Sequence, residues 1–219
     1  PCFMPVGTQG TVKALSPMEL NDAGAQIILS NAYHLFLRPG IETIRKAGGL
    51  HDFMSWDRPI LTDSGGYQIF SLALLRKVHD GGVEFQSHID GMKHFLKPSD
   101  VIEIQEGLGS DIMMPLDECV HYPCSKDSAE VAMRRTIEWA SLSKQAKSDN
   151  GQYLFGIIQG ATYDDLRKEC AQRIVELGFD GYAIGGVSVG EPKDLVYNTV
   201  RLVSEFMPED RPRNLMGVG

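Results

Sequence analysis

Two carboxylates, at Asp63 and Asp117, each end an apolar run of this sequence. A carboxylate in that position can serve as a general acid or base, or accept hydrogen bonds from a ligand. Glycines after the first acid permit positive φ and let the backbone approach a ligand closely. The structural alternative is that Asp63 or Ser64 simply caps the following helix. The segment after the first acid reads Ser64, Gly65, Gly66, Tyr67 and Gln68.

Amide and glycine residues follow the other apolar runs. A buried polar group is costly unless it meets a ligand or another polar group, so its recurrence at successive strand ends favours function over capping. Acid and amide groups beside a backbone N–H suit a planar ligand such as a purine, on whose faces Tyr67 and Met216 could stack. These strand ends carry Val6 and Gly7, Asn31, Gln159, Gly185 and Gly186, and Met216 and Gly217.

Apolar runs and helical patterns alternate along the chain, which predicts a parallel sheet with helical crossovers. We therefore expect the α/β class and a (β/α)8 TIM barrel, with its site at the carboxyl ends of the strands. An alternating run before Asp90 and Gly91 predicts a β-hairpin inserted after strand three. We expect about seven of the eight barrel strands, at residues 3–6, 26–31, 60–63, 111–117, 153–160, 181–186 and from 214 onward.

The composition is that of a globular protein with a sizeable core. The chain has 219 residues, of which 42% are hydrophobic and 23% charged, so we expect one domain over residues 1–219. Its apolar runs are too short to cross a membrane. Four cysteines without CxxC spacing predict free thiols in the cytoplasm, and the scattered histidines predict no metal site in the chain. The net charge of −8 argues against broad, non-specific nucleic-acid binding, although it is compatible with a local basic rim.

Six motifs, in order along the whole chain, closely resemble the tRNA-guanine transglycosylase (queuine tRNA-ribosyltransferase) family of bacterial type. The resemblance implies exchange of the guanine at the wobble position of tRNA for a 7-deazaguanine base, through a covalent glycosyl-enzyme, during queuosine biosynthesis. The motifs lie at residues 31–35 (NAYHL), 62–68 (TDSGGYQ), 116–119 (LDEC), 156–160 (GIIQG), 185–191 (GGVSVGE) and 215–219 (LMGVG).

The resemblance also implies roles for individual residues. Asp63 would be the proton acceptor, oriented by Asn31, while Asp117 and Gln159 would bind the amidine edge of guanine. The Gly186 backbone would meet the purine oxygen. Tyr67 and Met216 would sandwich the base, and Val6 and Leu29 would pack near the ribose. Further base contacts would come from Ser64, Gly65, Gly66, Gly185 and Val187, pocket support from Cys119 and Val189, and RNA contacts from Gly217, Val218 and Gly219.

The family's nucleophilic aspartate and its zinc ligands lie beyond Gly219 in this numbering. The chain as written is therefore expected to stop before the last barrel strand and the zinc-binding subdomain, and neither to bind zinc nor to form the covalent intermediate. The resemblance implies zinc and a homodimer for the full-length protein, and no organic cofactor.

Two positions indicate the subclass. Cys119 and Val189 match bacterial members of the family, whereas eukaryotic catalytic subunits, which take the bulkier queuine, favour Val and Gly there. A valine at position 189 narrows the pocket, so we expect 7-aminomethyl-7-deazaguanine, the prequeuosine base, as substrate.

Two other readings stay open at this stage. The Gly185–Gly186 turn before a helix could bind phosphate, as in a metabolic barrel enzyme acting on a phosphorylated small molecule. Against that reading stand two acids that would repel phosphate and the lack of a clear lysine at a strand end. The chain could also be a non-catalytic partner subunit or a fragment that only binds base or tRNA. A non-catalytic subunit could lack Asp63 and the guanine-binding residues, whereas this sequence has both.

Overall fold

The structure, a computed structural model, describes residues 1–72 and 75–218. The chain divides into two compact units. The first comprises Pro1–Met114 and Ala146–Tyr153, and the second comprises Pro115–Gln145 and Leu154–Gly219.

In the first unit, three short strands pair in parallel in the order β1-β2-β6, with Leu29 opposite Leu61 and Leu61 opposite Ile112. Helices follow β1 and β2, and the residue after each of these strands begins the turn into the next helix. In chain order the elements are α1 (Pro17–Asp22), β1 (Ile28–Ser30), α2 (Ala32–Leu37), α3 (Ile41–Lys46), α4 (Leu50–Met54), β2 (Ile60–Thr62), α5 (Gly66–Leu72), β3 (Arg76–His79), β4 (Gly82–Gln86), β5 (Lys93–Leu96), α6 (Pro98–Leu108) and β6 (Ile112–Met113).

The predicted insertion after the third strand is a three-stranded antiparallel sheet, β3-β4-β5. The hairpin predicted around Asp90 and Gly91 is the β4–β5 pair, and β3 extends it. In its turn, the Ser87 hydroxyl accepts from the Ile89 N–H at 3.2 Å and an Asp90 carboxylate oxygen accepts from the Met92 N–H at 3.1 Å. These side-chain bonds replace the ladder where the chain reverses.

In the second unit, β7-β8-β9 also pair in parallel, with Ile158 opposite Ile184 and Ile184 opposite Leu215. The first two of these strands, β7 and β8, are buried along most of their length, as expected for strands covered on both faces by helices. The elements are α7 (Lys126–Ala146), β7 (Tyr153–Ile158), α8 (Asp164–Leu177), β8 (Gly181–Ile184), α9 (Lys193–Ser204) and β9 (Arg213–Leu215).

Parallel strands that alternate with helices confirm the predicted α/β class and are consistent with a partial TIM barrel. The predicted first strand is the main difference, because residues 3–6 form only a single bridge, between Val6 and Leu29. The predicted fourth strand is shortened to β6, because a side chain rather than a neighbouring strand bonds the backbone of Met114. Gln105 donates to the Met114 carbonyl at 2.8 Å and accepts from the Met114 N–H at 2.9 Å.

The first unit has a continuous apolar core, to which each of its first four helices contributes. The helix α1 begins with a capping box, in which the side chains of Ser16 and Glu19 each accept from the other's backbone N–H. Across residues 1–72 and 75–218, no helix combines the length and apolarity needed to cross a membrane. Core members include Leu20, Ile28, Leu35, Ile44, Leu50, Trp56, Ile60 and Leu108.

Candidate functional site

Asp63 follows β2 directly and is buried in the first unit, with 7% of its surface exposed. Its backbone N–H continues the ladder by donating to the Ser30 carbonyl at 3.1 Å. Its carboxylate accepts from the Asn31 side-chain amide, from the Ala32 N–H at 3.0 Å and from the Gln68 side-chain amide at 2.9 Å. The end of β1 and the first turns of α5 therefore hold one carboxylate between them.

Burial raises the pKa of Asp63 from 3.8 to about 6, because desolvation disfavours the charged form. The hydrogen bonds from Asn31, Ala32, Gln68 and Gly65 act in the opposite direction and limit that rise. A carboxyl group with this pKa is mostly ionised at neutral pH and can still take up a proton readily. Such a group suits the role of proton acceptor.

The residues after Asp63 form a tight turn that packs against α2. A Cβ added at Gly65 would lie 2.9 Å from the Tyr33 Cβ, so the turn needs a glycine at this position. The Ser64 hydroxyl accepts from the Gly66 N–H at 3.1 Å and starts α5. Tyr67, in the first turn of α5, is 49% exposed and so presents its ring at the surface of the unit.

Val6 and Leu29, the predicted ribose contacts, lie next to each other through the isolated bridge. The Gly7 N–H donates to the Leu29 carbonyl at 2.6 Å, and the Leu29 N–H donates to the Pro5 carbonyl at 3.0 Å. Val6 is 47% exposed, so its side chain is accessible at this edge of β1.

In the second unit, Asp117 and Gln159 are both buried and contact each other. The Gln159 side-chain amide donates to an Asp117 carboxylate oxygen at 2.7 Å. Gln159 follows β7, and its backbone N–H meets the Cys170 sulfur of α8 at 3.2 Å. A carboxylate beside an amide offers the acceptors that an amidine edge, with its adjacent N–H groups, requires.

The turn after β8 packs against this pair. Gly186 has φ of +60°, and a Cβ there would lie 2.1 Å from the Gln159 Oε1. A Cβ on Gly185 would lie 3.0 Å from the Gln159 Nε2. The backbone of this turn therefore lies close to the Gln159 amide, and the positive φ favours glycine at position 186. Val187, the next residue, is buried.

A residue that the sequence analysis missed, Arg167 of α8, lies fully buried behind this turn. Its guanidinium donates to the carbonyls of Ile158 at 2.8 Å, Gly185 at 2.7 Å and Gly186 at 2.9 Å. The helical pattern offered a signal, because Arg167 occupies a position three residues before buried Cys170 and four before buried Ala171. A charged residue in that apolar stripe indicates a buried polar contact.

Val189 and Cys119, the two residues expected to support the pocket, both lie in the second unit. Val189 is half-buried, and its N–H donates to a Glu191 carboxylate oxygen at 2.8 Å. The Ser188 N–H donates to the other oxygen of Glu191 at 2.5 Å. Cys119 is buried, and desolvation raises its thiol pKa to about 12. The thiol is therefore neutral at pH 7 and a poor nucleophile.

Met216 follows β9 and is half-buried, and its N–H donates to the Ile184 carbonyl at 3.1 Å. Gly217 lies close to the turn after β8, because a Cβ there would be 3.0 Å from the Val187 carbonyl oxygen. Val218 is 53% exposed. Gly219, the third predicted RNA contact, lies outside the described residues.

The structure thus forms two sets of the predicted site residues. Asp63 and Asn31 contact each other in the first unit, and Asp117, Gln159, Gly185 and Gly186 lie together in the second. The sandwich of Tyr67 and Met216, and the convergence of both carboxylates on one base, join residues of different units and stay predictions. Among the described residues, no group of three or more His, Cys, Asp or Glu side chains could hold a metal ion.

The family model and the curated relatives that match this chain carry the same description. The family model described as queuine tRNA-ribosyltransferase matches residues 1–219. The chain is 62% identical to a queuine tRNA-ribosyltransferase of Thermoanaerobacter pseudethanolicus, over 100% of the chain and 59% of that relative. It is 60% identical to that of Desulforudis audaxviator, over 100% and 59%, and 58% identical to that of Aquifex aeolicus, over 100% and 61%. It therefore spans about three fifths of the length of these curated relatives.

Proposed function

The chain belongs to the queuine tRNA-ribosyltransferase family, and on that premise we propose that the whole protein exchanges the wobble guanine of tRNA for a 7-deazaguanine base. The observation that carries the proposal is the buried Asp117–Gln159 pair beside the Gly185–Gly186 turn. A carboxylate, an amide and the backbone of the Gly185–Gly186 turn match the amidine edge and the carbonyl oxygen of guanine. Phosphate would be repelled by the carboxylate at the same place.

In this proposal Asp63 accepts the proton that the incoming base loses from N9. The bond between the ribose C1′ and guanine N9 breaks while a carboxylate of the family's nucleophile bonds to C1′, so the chemistry resembles that of a retaining glycosidase. Guanine leaves with the electron pair of the broken bond and takes a proton from water. The incoming base then attacks C1′ through N9, releases that carboxylate and gives its N9 proton to Asp63. Its pKa of about 6 leaves Asp63 ionised and ready to accept the proton at neutral pH.

The proposed substrates are a tRNA with guanine at the wobble position and 7-aminomethyl-7-deazaguanine, the prequeuosine base. The tRNA base has to leave the anticodon stack to reach a buried carboxylate, as in other base-modifying enzymes. Val189, which is half-buried in the turn after β8, supports the smaller aminomethyl base over queuine.

The resemblance further supports a homodimer, a structural zinc ion and a cytoplasmic location, where tRNA is modified. The residues described here do not fit a zinc site, because they contain no suitable cluster of ligands. In this proposal the metal ligands therefore belong to the family's later residues, and none of the steps above involves the metal.

The test is an exchange assay with the purified full-length protein, a tRNA carrying wobble guanine and radiolabelled guanine. We expect labelled tRNA from the unaltered protein. Asp117→Ala should raise KM for guanine about 10- to 100-fold, because a hydrogen bond to a charged group contributes about 1.5–3 kcal/mol. Asp194→Ala, which removes an exposed acid of α9, is the matched control and should leave KM unchanged. Absence of exchange by the unaltered protein would refute the proposal, and an unchanged KM for Asp117→Ala would refute the assigned base contact.

A further inference from the structure

The buried guanidinium of Arg167 joins the carboxyl ends of two neighbouring strands. Its Nη1 donates to the Ile158 carbonyl at the end of β7 and to the Gly185 carbonyl after β8. Its Nη2 donates to the Gly186 carbonyl at 2.9 Å, and its Nε to the Ala161 carbonyl at 2.7 Å. The planar fork of arginine suits this divergent set of acceptors, whereas a lysine would offer a single point of attachment.

The close approach of α8 to β7 makes these contacts possible. A Cβ on Gly160 would lie 2.8 Å from the Arg167 backbone nitrogen, so only a glycine lets the first turn of α8 pack this near the strand end. The Ile158 carbonyl accepts both from Arg167 and, at 3.1 Å, from the Gly185 N–H. Arg167 therefore reinforces the β7–β8 ladder at the point where Gln159 begins.

The bonds to Gly185 and Gly186 also fix the direction of two peptide groups. In a trans peptide the C=O of one residue and the N–H of the next point in opposite directions. Because Arg167 holds the Gly185 and Gly186 carbonyls, the N–H groups of Gly186 and Val187 point away from the guanidinium. The positive charge behind these peptide groups also polarises them and makes their N–H groups stronger donors.

We propose that Arg167 is a positioning residue that directs the Gly186 and Val187 N–H groups toward the carbonyl oxygen of a bound 6-oxopurine, and so sets the preference for that oxygen. The inference rests on the proposed function, because it concerns the same base site. Gln159 links the two features, since its amide donates to Asp117 and lies so near the turn that a Cβ on Gly185 or Gly186 would come within 3.0 Å of it.

Burial and charge support the inference. Desolvation lowers the pKa of Arg167 to about 10, which still leaves it charged at neutral pH. The four hydrogen bonds of Arg167 named above go to backbone carbonyls. Such an arrangement fixes backbone geometry, which is the requirement of a site that reads a ligand through peptide N–H groups.

The test is equilibrium binding of radiolabelled guanine to the purified protein, with 6-thioguanine as competitor. The thio compound keeps the N1 and amino hydrogens but has a weak acceptor in place of the oxygen. Arg167→Met should weaken guanine binding at least tenfold and reduce the preference for guanine over 6-thioguanine by a similar factor. A merely structural role would weaken both bases equally. Arg173→Met, an exposed arginine of the same helix, is the matched control and should preserve both values.

Arg167→Lys keeps the charge without the fork, so it should recover part of the affinity and little of the preference. Should neither variant fold, 15N-arginine labelling of the unaltered protein replaces them, with the Arg167 Nε–H signal expected to shift more with guanine than with 6-thioguanine. An unchanged preference in a folded Arg167→Met protein, or equal shifts with both bases, would overturn the inference alone. Unaltered protein that binds no guanine would overturn the proposed function and the inference together.

Discussion

At the scale of single residues, the environment of Asp63 sets the pH at which the protein can work. Burial in the first unit raises its pKa to about 6, and hydrogen bonds from Asn31, Ala32, Gln68 and Gly65 keep the carboxylate form accessible. A proton acceptor has to be ionised, so the exchange rate should fall as the pH drops through about 6. Neutral and mildly alkaline conditions should give the full rate.

Replacing Asn31 by alanine tests this argument. Loss of one donor leaves the Asp63 carboxylate less stabilised, so its pKa should rise and the acidic limb of the rate profile should move to higher pH. A shift of about one pH unit is expected, since one unit corresponds to about 1.4 kcal/mol and a hydrogen bond to a charged group contributes about as much. The measurement is exchange rate against pH for Asn31→Ala and for the control Asn198→Ala, an exposed amide of α9. A limb that stays in place would mean that Asn31 does not stabilise the carboxylate.

Val189 bears on the choice of base. Its N–H donates to a Glu191 carboxylate oxygen, which holds the backbone of the turn after β8 at this residue. Val189→Gly should increase kcat/KM for queuine relative to 7-aminomethyl-7-deazaguanine by about tenfold or more, because removing three carbons from a pocket is worth about 1–3 kcal/mol or more. Competition between the two bases measures the ratio, and Val189→Ala should lie between the two. Equal ratios in all three proteins would contradict the pocket argument.

The residues of the site differ in how far the sequence predicts them. Asp63 and Gln159 follow apolar runs directly, so their position at strand ends is visible in the pattern, and the structure places both immediately after β2 and β7. Arg167 was missed because its function depends on carbonyl groups of β7 and β8, which become neighbours only when those strands pair. Gln68 was noted in its motif but not assigned, because its contact with Asp63 requires the turn of α5.

At the scale of elements, glycines in the sequence mark the ends of two of the longer helices. The ends of α6 and α8 coincide with Gly109 and Gly178, which adopt the left-handed conformation that typically ends a helix. Short helices such as α2 and α4 were missed because five or six residues carry too little periodicity. The strand expected at residues 3–6 forms only one bridge, since Pro5 has no N–H to extend a ladder.

The proposed function makes base recognition depend on the turn after β8, and Gly186→Ala tests this. The new Cβ would lie 2.1 Å from the Gln159 Oε1 and should displace the amide from Asp117. We expect base affinity to fall at least tenfold. The control is Gly24→Ala, whose φ of +77° carries the same backbone strain but whose Cβ would meet nothing within 4 Å. Both variants should lose about 1–2 kcal/mol of unfolding free energy from the left-handed φ, and only Gly186→Ala should also lose binding. Equal binding losses would indicate a general effect of stability.

At the scale of the whole chain, the predicted single domain and the two compact units describe different things. Composition and length predict the amount of core that a chain can form, whereas the units reflect where contacts are dense. The alternation of strands and helices was predictable because each crossover leaves its own pattern. The pairing order within each unit was not, because it depends on contacts between residues far apart in the sequence.

Net charge makes a further prediction for the 219-residue chain. With a charge of −8, it offers little general attraction to phosphate, so its RNA contacts should be few and local. Each phosphate neutralised contributes a slope of about 0.7–0.9 in a plot of log affinity against log salt. We therefore expect a slope below about 3 for RNA of random sequence. Filter binding from 50 to 300 mM salt measures it, with an anticodon stem-loop carrying wobble guanine as the comparison RNA. A slope near 7 for random RNA would instead require an extended basic surface on the chain. RNA binding would then depend on the phosphate charge of the RNA more than on the proposed base contacts of Asp117 and Gln159.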